Sequence, residues 1–317
     1  MRTAAAARVF VVGESLVDVV EREGVRTAHP GGSPLNVAFG LGRLGLSTTF
    51  LTTWGDDDNG RMLAAHLATA GVDTIVERAE GGTSVATAEV GANGTARYVF
   101  DLDWALRAIA APTTAVFHTG SLGALLEPGA TAVRRLVEGL HPDTVVTFDP
   151  NVRSALMPDR QPTLDMVGWY SEHAHLVKLS DEDAAWLFPA MNHRAVLDWI
   201  VDHGAAVAVL TLGERGSILR SRMSEARVDA RTTSVVDTIG AGDAYMAGLI
   251  AGAVFAEALP EMRTGEVTEA ALRSMGEIAS KVASLTVARA GAMPPTWDEI
   301  ERVGHGVPQR EFTTNAR

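Results

Sequence analysis

A chain of 317 residues with a formal net charge of −12 and no cysteine is long enough to bury a substantial core. Its composition excludes disulfides, thiolate metal sites and a cysteine nucleophile. The acidity disfavours nucleic acid and anionic membrane as partners, so any bound phosphate must be held by a local site.

In chain order, the N-terminal apolar stretch is too short for a secretory signal, and "RVFVVG" at 8–13 reads as a first buried strand. A cytoplasmic location is expected. "SLVDVVEREGVRTAHPGG" reads as strand, turn at Glu23-Gly24, strand. "PLNVAFGLGRL" is helical, with Gly45 as its C-terminal cap. It contains a G-x-G-x-x-G match from Gly40 to Gly45, but a dinucleotide fingerprint follows a strand and opens a helix, and this one does neither. After "TTFLTTWG" and a helix over 59–71, "TSVATAEVGANGTARYVFDLD" is a hairpin turning at Asn93-Gly94. The remaining strands are "AVFHTG", "TVVTFDPN", "HLVKLS" and "AVAVLTLG". Helices over 128–140, 181–188 and 193–204 alternate with them. Short continuous apolar runs separated by helices predict a three-layer α/β, doubly wound, mostly parallel sheet, whose ligands gather at the carboxyl ends of the strands. The expected organisation is one domain over 1–317. The segments 15–30 and 83–102 have no covering helix and form a small β-sheet lid.

Neither lysine, Lys178 or Lys281, follows a glycine, so a P-loop is excluded. The phosphate signal lies instead in "VVDTIGAGDAYMAGLIAG" at 235–252. Small residues at the mouth of an apolar helix allow close helix packing. They also expose backbone N–H groups to an anion, which the helix dipole favours. Asp243 falls in the first turn. It is either a plain cap or a base set beside an anion hole. His118, at a strand end in "FHTG", reads as a hydrogen-bonded structural residue.

"GGSPLNVAFGLGRLG" at 31–45 and "DTIGAGDAYMAGLIAG" at 237–252 resemble the two signatures of the ribokinase and fructokinase sugar kinases, the PfkB carbohydrate kinases. "GDDDNG" at 55–60, "DPNVR" at 149–153 and "TLGERG" at 211–216 are shorter matches. The resemblance implies a ribokinase-like fold and ATP-dependent phosphorylation of a sugar hydroxyl. It implies Asp243 as general base, with an anion hole at Ile239, Gly240, Ala241 and Gly242. It places Asp18, Gly32, Asn36, Asn151 and Arg153 around the sugar, with Asp149 orienting Arg153 and with Tyr98 and Phe100 reaching in from the lid. Lys178, Ser180, Thr211, Gly213, Gly216, Thr238 and Ser280 match the nucleotide side. Where the family carries Asn-x-x-Glu, linked to magnesium through water, this chain has Ser180 and Asp183, with Glu182 as a substitute. Asp237 and Ile239 match positions lining a K⁺ site in several members.

The first motif and "DPNVR" are closer to fructokinases than to other branches. Fructose is therefore the expected substrate, with ribose and 2-keto-3-deoxygluconate as alternatives. A non-catalytic sugar- or nucleotide-binding regulator on the same scaffold is a second alternative. The exposed lid edges suit a homodimer.

Overall fold

The computed structural model describes residues 7–22, 25–90, 96–107, 110–157 and 159–304. The turns at Glu23-Gly24 and Asn93-Gly94 lie outside them, as does the side chain of Tyr98. The strands are β1 (Arg8–Val12), β2 (Leu16–Arg22), β3 (Val25–Gly31), β4 (Ser47–Trp54), β5 (Asp73–Arg78), β6 (Val85–Val90), β7 (Ala96–Asp101), β8 (Val116–Gly120), β9 (Val145–Asp149), β10 (Leu176–Ser180), β11 (Val207–Thr211), β12 (Ser217–Arg220) and β13 (Glu225–Val228). The helices are α1 (Ser33–Arg43), α2 (Asp58–Ala68), α3 (Ser121–Leu125), α4 (Gly129–Glu138), α5 (Arg160–His173), α6 (Asp181–Leu187), α7 (His193–Asp202), α8 (Ala241–Phe255), α9 (Leu259–Thr264), α10 (Glu269–Val287) and α11 (Trp297–Gly304). None is long and apolar enough to cross a membrane among the described residues.

Nine strands form one sheet in the order β13-β12-β11-β10-β9-β8-β1-β4-β5. From β11 to β5 every pairing is parallel, and β12 and β13 close one edge antiparallel. The central strands are apolar on both faces because helices cover both. Along β1, Val9 and Val11 face the core built with α1, α8 and α10. Phe10 and Val12 face the opposite core, built with α4, α5 and α7. The edge strands β5 and β13, and β12 between β11 and β13, were not read from the sequence. β5 is largely exposed and β13 alternates, so neither shows the unbroken apolar run that marks a central strand.

A separate four-stranded sheet, β3-β2-β6-β7, is built from the two helix-free segments. β2 pairs with β3 antiparallel and with β6 parallel, which joins the two hairpins into one surface. Asp57 anchors this sheet to the main body. Its carboxylate caps α2 through the Gly60 N–H at 2.8 Å and accepts the Thr83 N–H at 2.9 Å and hydroxyl at 2.7 Å, just before β6.

Helix α8 is buried on all sides from Asp243 through Val254, as expected of a helix without a polar face. Its small residues permit this. A Cβ on Gly248 would lie 2.6 Å from Ala279 Cα and one on Gly252 2.8 Å from Met275 Cα, so α10 packs against bare backbone. The close-packing reading of the glycine-rich motif is therefore correct for its second half. Its first half, the turn at 238–242, is solvent-facing and does something else.

Candidate active site

The start of α1 and the loop after β9 meet the first turn of α8 at Asp243. This side chain is 6% exposed and carries three donors. Ser33 Oγ donates to Oδ1 at 2.6 Å, Asn36 Nδ2 to Oδ2 at 2.8 Å and Asn151 Nδ2 to Oδ1 at 3.3 Å. Ser33 and Asn36 lie one turn apart on α1, so the first helix presents both to the same carboxylate. The two sequence motifs, some 200 residues apart, thus meet at one functional group. A plain helix cap would turn back to its own backbone, whereas Asp243 is held by two other elements.

In front of it, Gly240 occupies the left-handed region at φ +71 and starts α8. Ile239 and Gly242 are exposed and Ala241 is half-buried, so the free N–H groups of the first turn open outward. A Cβ on Gly242 would find only one heavy atom outside the turn within 4 Å, Lys178 Nζ at 3.7 Å. Lys178 is 3% exposed and donates to Asp149 Oδ2 at 2.7 Å, the latter fully buried. Burial pulls the ammonium down, but Asp149 outweighs it and holds the lysine above its ordinary value. Burial pushes Asp149 up, to about 6, and Lys178 opposes this, so the pair is charged at neutral pH. The expectation that Asp149 orients Arg153 is therefore corrected. Asp149 ends β9 facing the interior, where it pairs with Lys178, and Arg153 bonds instead to Asn151 Oδ1 at 2.8 Å.

On the lid side, Asp18 sits in β2 opposite His29 of β3 and Ala86 of β6. It is exposed, and its carboxylate packs against Gly31, where a side chain would collide with it. Desolvation raises its pKa, Arg153 opposes this and Asp243 adds to it. Gly32, at φ +101, lets the chain turn into α1 while passing close to the Glu14 carbonyl. Phe100 is half-buried on β7 in register with Ala86. Trp104, beyond the lid, is buried with its indole N–H on the Gly123 carbonyl at 3.0 Å.

On the other side, Thr211 ends β11, and Gly213 and Gly216 have positive φ in the following turn. Thr238 is exposed and its carbonyl accepts the Ala241 N–H at 3.2 Å. Ser280 Oγ donates to the Asp229 carbonyl at 3.1 Å. It lines a cleft of about 350 Å³ with Arg231, Arg273 and Glu277 among its walls. Ser180 and Asp183 form a capping box at the start of α6, and Asp183 also accepts the Val152 N–H at 2.8 Å. Ser180 N–H and Oγ both donate to its Oδ2. Asp183 is thus a tether between α6 and the β9 loop, which is the role its neighbours explain. Glu182 points to solvent. No group of three acidic or histidine side chains able to hold a metal occurs among the described residues. The Asp237 carboxylate bridges the Ile239 N–H at 3.0 Å and the Gly291 N–H at 2.9 Å, and these bonds hold its pKa below the ordinary range.

His118 is fully buried, its Nδ1 is 3.0 Å from Thr147 Oγ1, and burial drives its pKa down to about 3. It is a neutral structural residue, as read from the sequence. Two site residues escaped that reading. Ser33 stands between Gly32 and Pro34, where a serine reads as an ordinary helix cap. Glu14 follows the first buried strand; a lone charge at the carboxyl end of such a strand was the available signal.

A parallel sheet with a β lid, a glycine turn opening a buried helix, and a carboxylate gathered from three elements define a carbohydrate kinase. A model of the pfkB family carbohydrate kinase matches residues 6–299, and the chain belongs to that family. It is 30% identical to fructokinase-1 of Zea mays over 321 residues, covering 94% of this chain and 97% of the relative. It is 29% identical to the fructokinase of Rhizobium leguminosarum bv. trifolii over 286 residues, covering 84% and 86%. Among solved structures, fructokinase from Vibrio cholerae O395 in its fructose-, ADP- and potassium-bound form superposes with a TM-score of 0.80 at 23% identity, covering 94% of this chain and 98% of that one. Aminoimidazole riboside kinase from Salmonella enterica follows with 0.77 at 24%, covering 93% and 98%. These likenesses confirm the expected ribokinase-like fold.

Proposed function

We propose that the chain transfers the γ-phosphoryl group of ATP to a hydroxyl of D-fructose, with Asp243 as the general base. The observation that carries this reading is the buried Asp243, fixed by Ser33, Asn36 and Asn151 at the foot of an exposed helix N-terminus. The fructokinase relatives at 29% and 30% identity support fructose as the sugar.

In this mechanism the fructose hydroxyl gives its proton to Asp243 as its oxygen attacks the γ-phosphorus. The bond to the β–γ bridging oxygen breaks, and ADP leaves. The N–H groups of Gly240 and Gly242 receive the charge that develops on the transferred group; of the other two expected donors, Ile239 N–H is held by Asp237 and Ala241 N–H by the Thr238 carbonyl, so these two shape the turn. Lys178, beneath Gly242, adds a fixed positive charge that Asp149 keeps in place. Asp18, Gly32, Asn36, Asn151 and Arg153 hold the sugar hydroxyls, and the lid, with Tyr98 and Phe100, closes over it to exclude water. The turns at Thr211, Gly213 and Gly216, with Thr238, hold the nucleotide's phosphates and ribose, and Ser180 lies beside them at the start of α6. The Ser280 cleft receives the adenine end.

The residues do not form a magnesium cage. Mg²⁺ arrives with the nucleotide, and Asp183, with Glu182 as its substitute, would reach it through water. The anionic Asp237, locked in place beside Ile239, fits a monovalent cation such as K⁺, whose charge would steady the adjoining turn. Val20, Val25 and Val99 are exposed on the lid and suit a homodimer formed through it.

A coupled ADP-release assay with MgATP and a sugar panel tests the reading. Fructose should give the highest kcat/KM, above ribose and 2-keto-3-deoxygluconate. Binding without turnover of any sugar would refute it and leave the silent-regulator alternative.

A further inference from the structure

One buried ionisable group stands outside the roles described so far. Glu14, just after β1, is 4% exposed. Its Oε2 accepts the Gly123 N–H at 2.6 Å, and the Ser121 hydroxyl bonds to the same carboxyl. Ser121 begins α3 at φ +50 and Asn151 lies at φ +36. These are two of the three non-glycine residues with positive φ among the described ones. Backbone of this kind persists only where its surroundings over-determine it, and it concentrates at functional sites.

Asn151 belongs to the network that holds Asp243. Arg153 donates to Asn151 Oδ1 at 2.8 Å, and Asn151 Nδ2 donates to Asp243 Oδ1 at 3.3 Å. Arg153 is the charged group that acts on Glu14, and it acts on Asp18 as well. Gly123 of α3 lies against Gly13 and Glu14, and Gly32 at the start of α1 lies against the Glu14 carbonyl.

We propose that Glu14 is a positioning residue of the sugar site: its carboxylate fastens the Ser121–Gly123 corner while its backbone abuts the Gly32 turn, whose helix holds Asp243 through Ser33 and Asn36, and its charge acts on Arg153. The proposal deepens the sugar-kinase reading and rests on it. Burial pushes the Glu14 carboxyl up to about 7, so its charge changes near neutrality. Protonation weakens it as an acceptor and so loosens the corner it holds. The effect falls on the sugar side, because Thr211 and Ser280 stand on other elements.

The test compares wild type with Glu14→Gln and Glu14→Asp, measuring fructose KM, ATP KM and kcat from pH 6 to 8.5. For wild type, kcat/KM for fructose should fall as the pH drops through about 7 while ATP KM stays flat. Glu14→Gln should raise fructose KM about tenfold or more at pH 8, the scale of a lost charge-assisted hydrogen bond, and should lack the pH limb. Glu14→Asp, which keeps the charge, should restore part of both. An unchanged fructose KM with the same limb in Glu14→Gln would overturn the proposal, as would equal shifts in fructose KM and ATP KM. A readout independent of turnover is ¹³C NMR of the glutamate carboxyls. One resonance should titrate near 7, vanish in Glu14→Gln and move upward in Arg153→Gln. Absence of that movement overturns the link to Arg153. Wild-type protein that turns over no sugar would instead refute the kinase reading, and the NMR result would still decide the place of Glu14.

Discussion

Alanine at Gly242 should make the protein more stable and far less active. Gly242 has helical backbone in the first turn of α8, and an added Cβ meets no heavy atom outside the turn closer than Lys178 Nζ at 3.7 Å. The methyl group therefore fits without strain, and glycine-to-alanine in a helix gains roughly 0.5–1 kcal/mol. The same methyl fills the space between the open N–H groups and the buried ammonium, where the transferred phosphoryl group should sit. Losing one such donor raises a barrier by ~2.7–4 kcal/mol, about 10²–10³ in kcat. The contrast is Gly240→Ala. There the backbone is at φ +71 and the Cβ would lie 2.5 Å from Ala292 Cβ, so ~1–2 kcal/mol of left-handed strain adds to a clash. That variant should lose stability and activity together. Thermal denaturation and the ADP-release assay separate the two cases. A Gly242→Ala protein with near-wild-type kcat would refute the assignment of this turn as the anion hole.

Three further outcomes follow from the geometry. Lys178→Met strands the fully buried Asp149 and should cost about 3–5 kcal/mol in denaturant unfolding at pH 8, with Lys178→Met/Asp149→Leu recovering most of it. Glu14, raised from 4.5 to about 7, binds a proton more tightly when folded than when unfolded. Its contribution to stability is fully present below pH 4.5 and is lost as the pH rises through about 7, a change of roughly 3 kcal/mol. Glu14→Gln should flatten that stretch of the stability–pH curve. Asp57→Ala removes the α2 cap and the tie to Thr83; it should lower stability by about 1–2 kcal/mol and raise fructose KM by loosening the lid.

Periodicity carried most of the fold. The central strands read plainly because helices on both faces demand uninterrupted apolar runs, as in β9, where all five residues are buried. The two lid hairpins were legible from turn residues and from the missing helices. β5 and β13 were not, because edge strands need only one apolar face or none, and β12, though buried, is four residues long and too short a run to stand out. In the site, Asp243 was legible because its motif combines bare glycines with one acid. Lys178 and Asp149 were each singled out, but their pairing was not, since nothing in the local sequence says that neighbouring strands will face both inward at one level. Ser180 and Asp183 show the reverse: they stand where the family carries its magnesium-linked pair, and the structure holds them as a capping box, because a carboxylate three residues past a serine finds the free N–H first. Glu14 was passed over because a single charge after a strand resembles any loop residue until the β8–α3 corner closes on it.

The most direct measurement is single-turnover phosphorylation of fructose by Asp243→Asn, with calorimetric binding of fructose and ATP to the same protein. Asparagine keeps the shape, and its carbonyl can still accept from Asn36, so both ligands should bind about as tightly as in wild type. The chemical step should slow by about 10²–10⁴, the usual contribution of a general base. Phosphoryl transfer at close to the wild-type rate, with both ligands bound, would contradict Asp243 as the group that takes the proton.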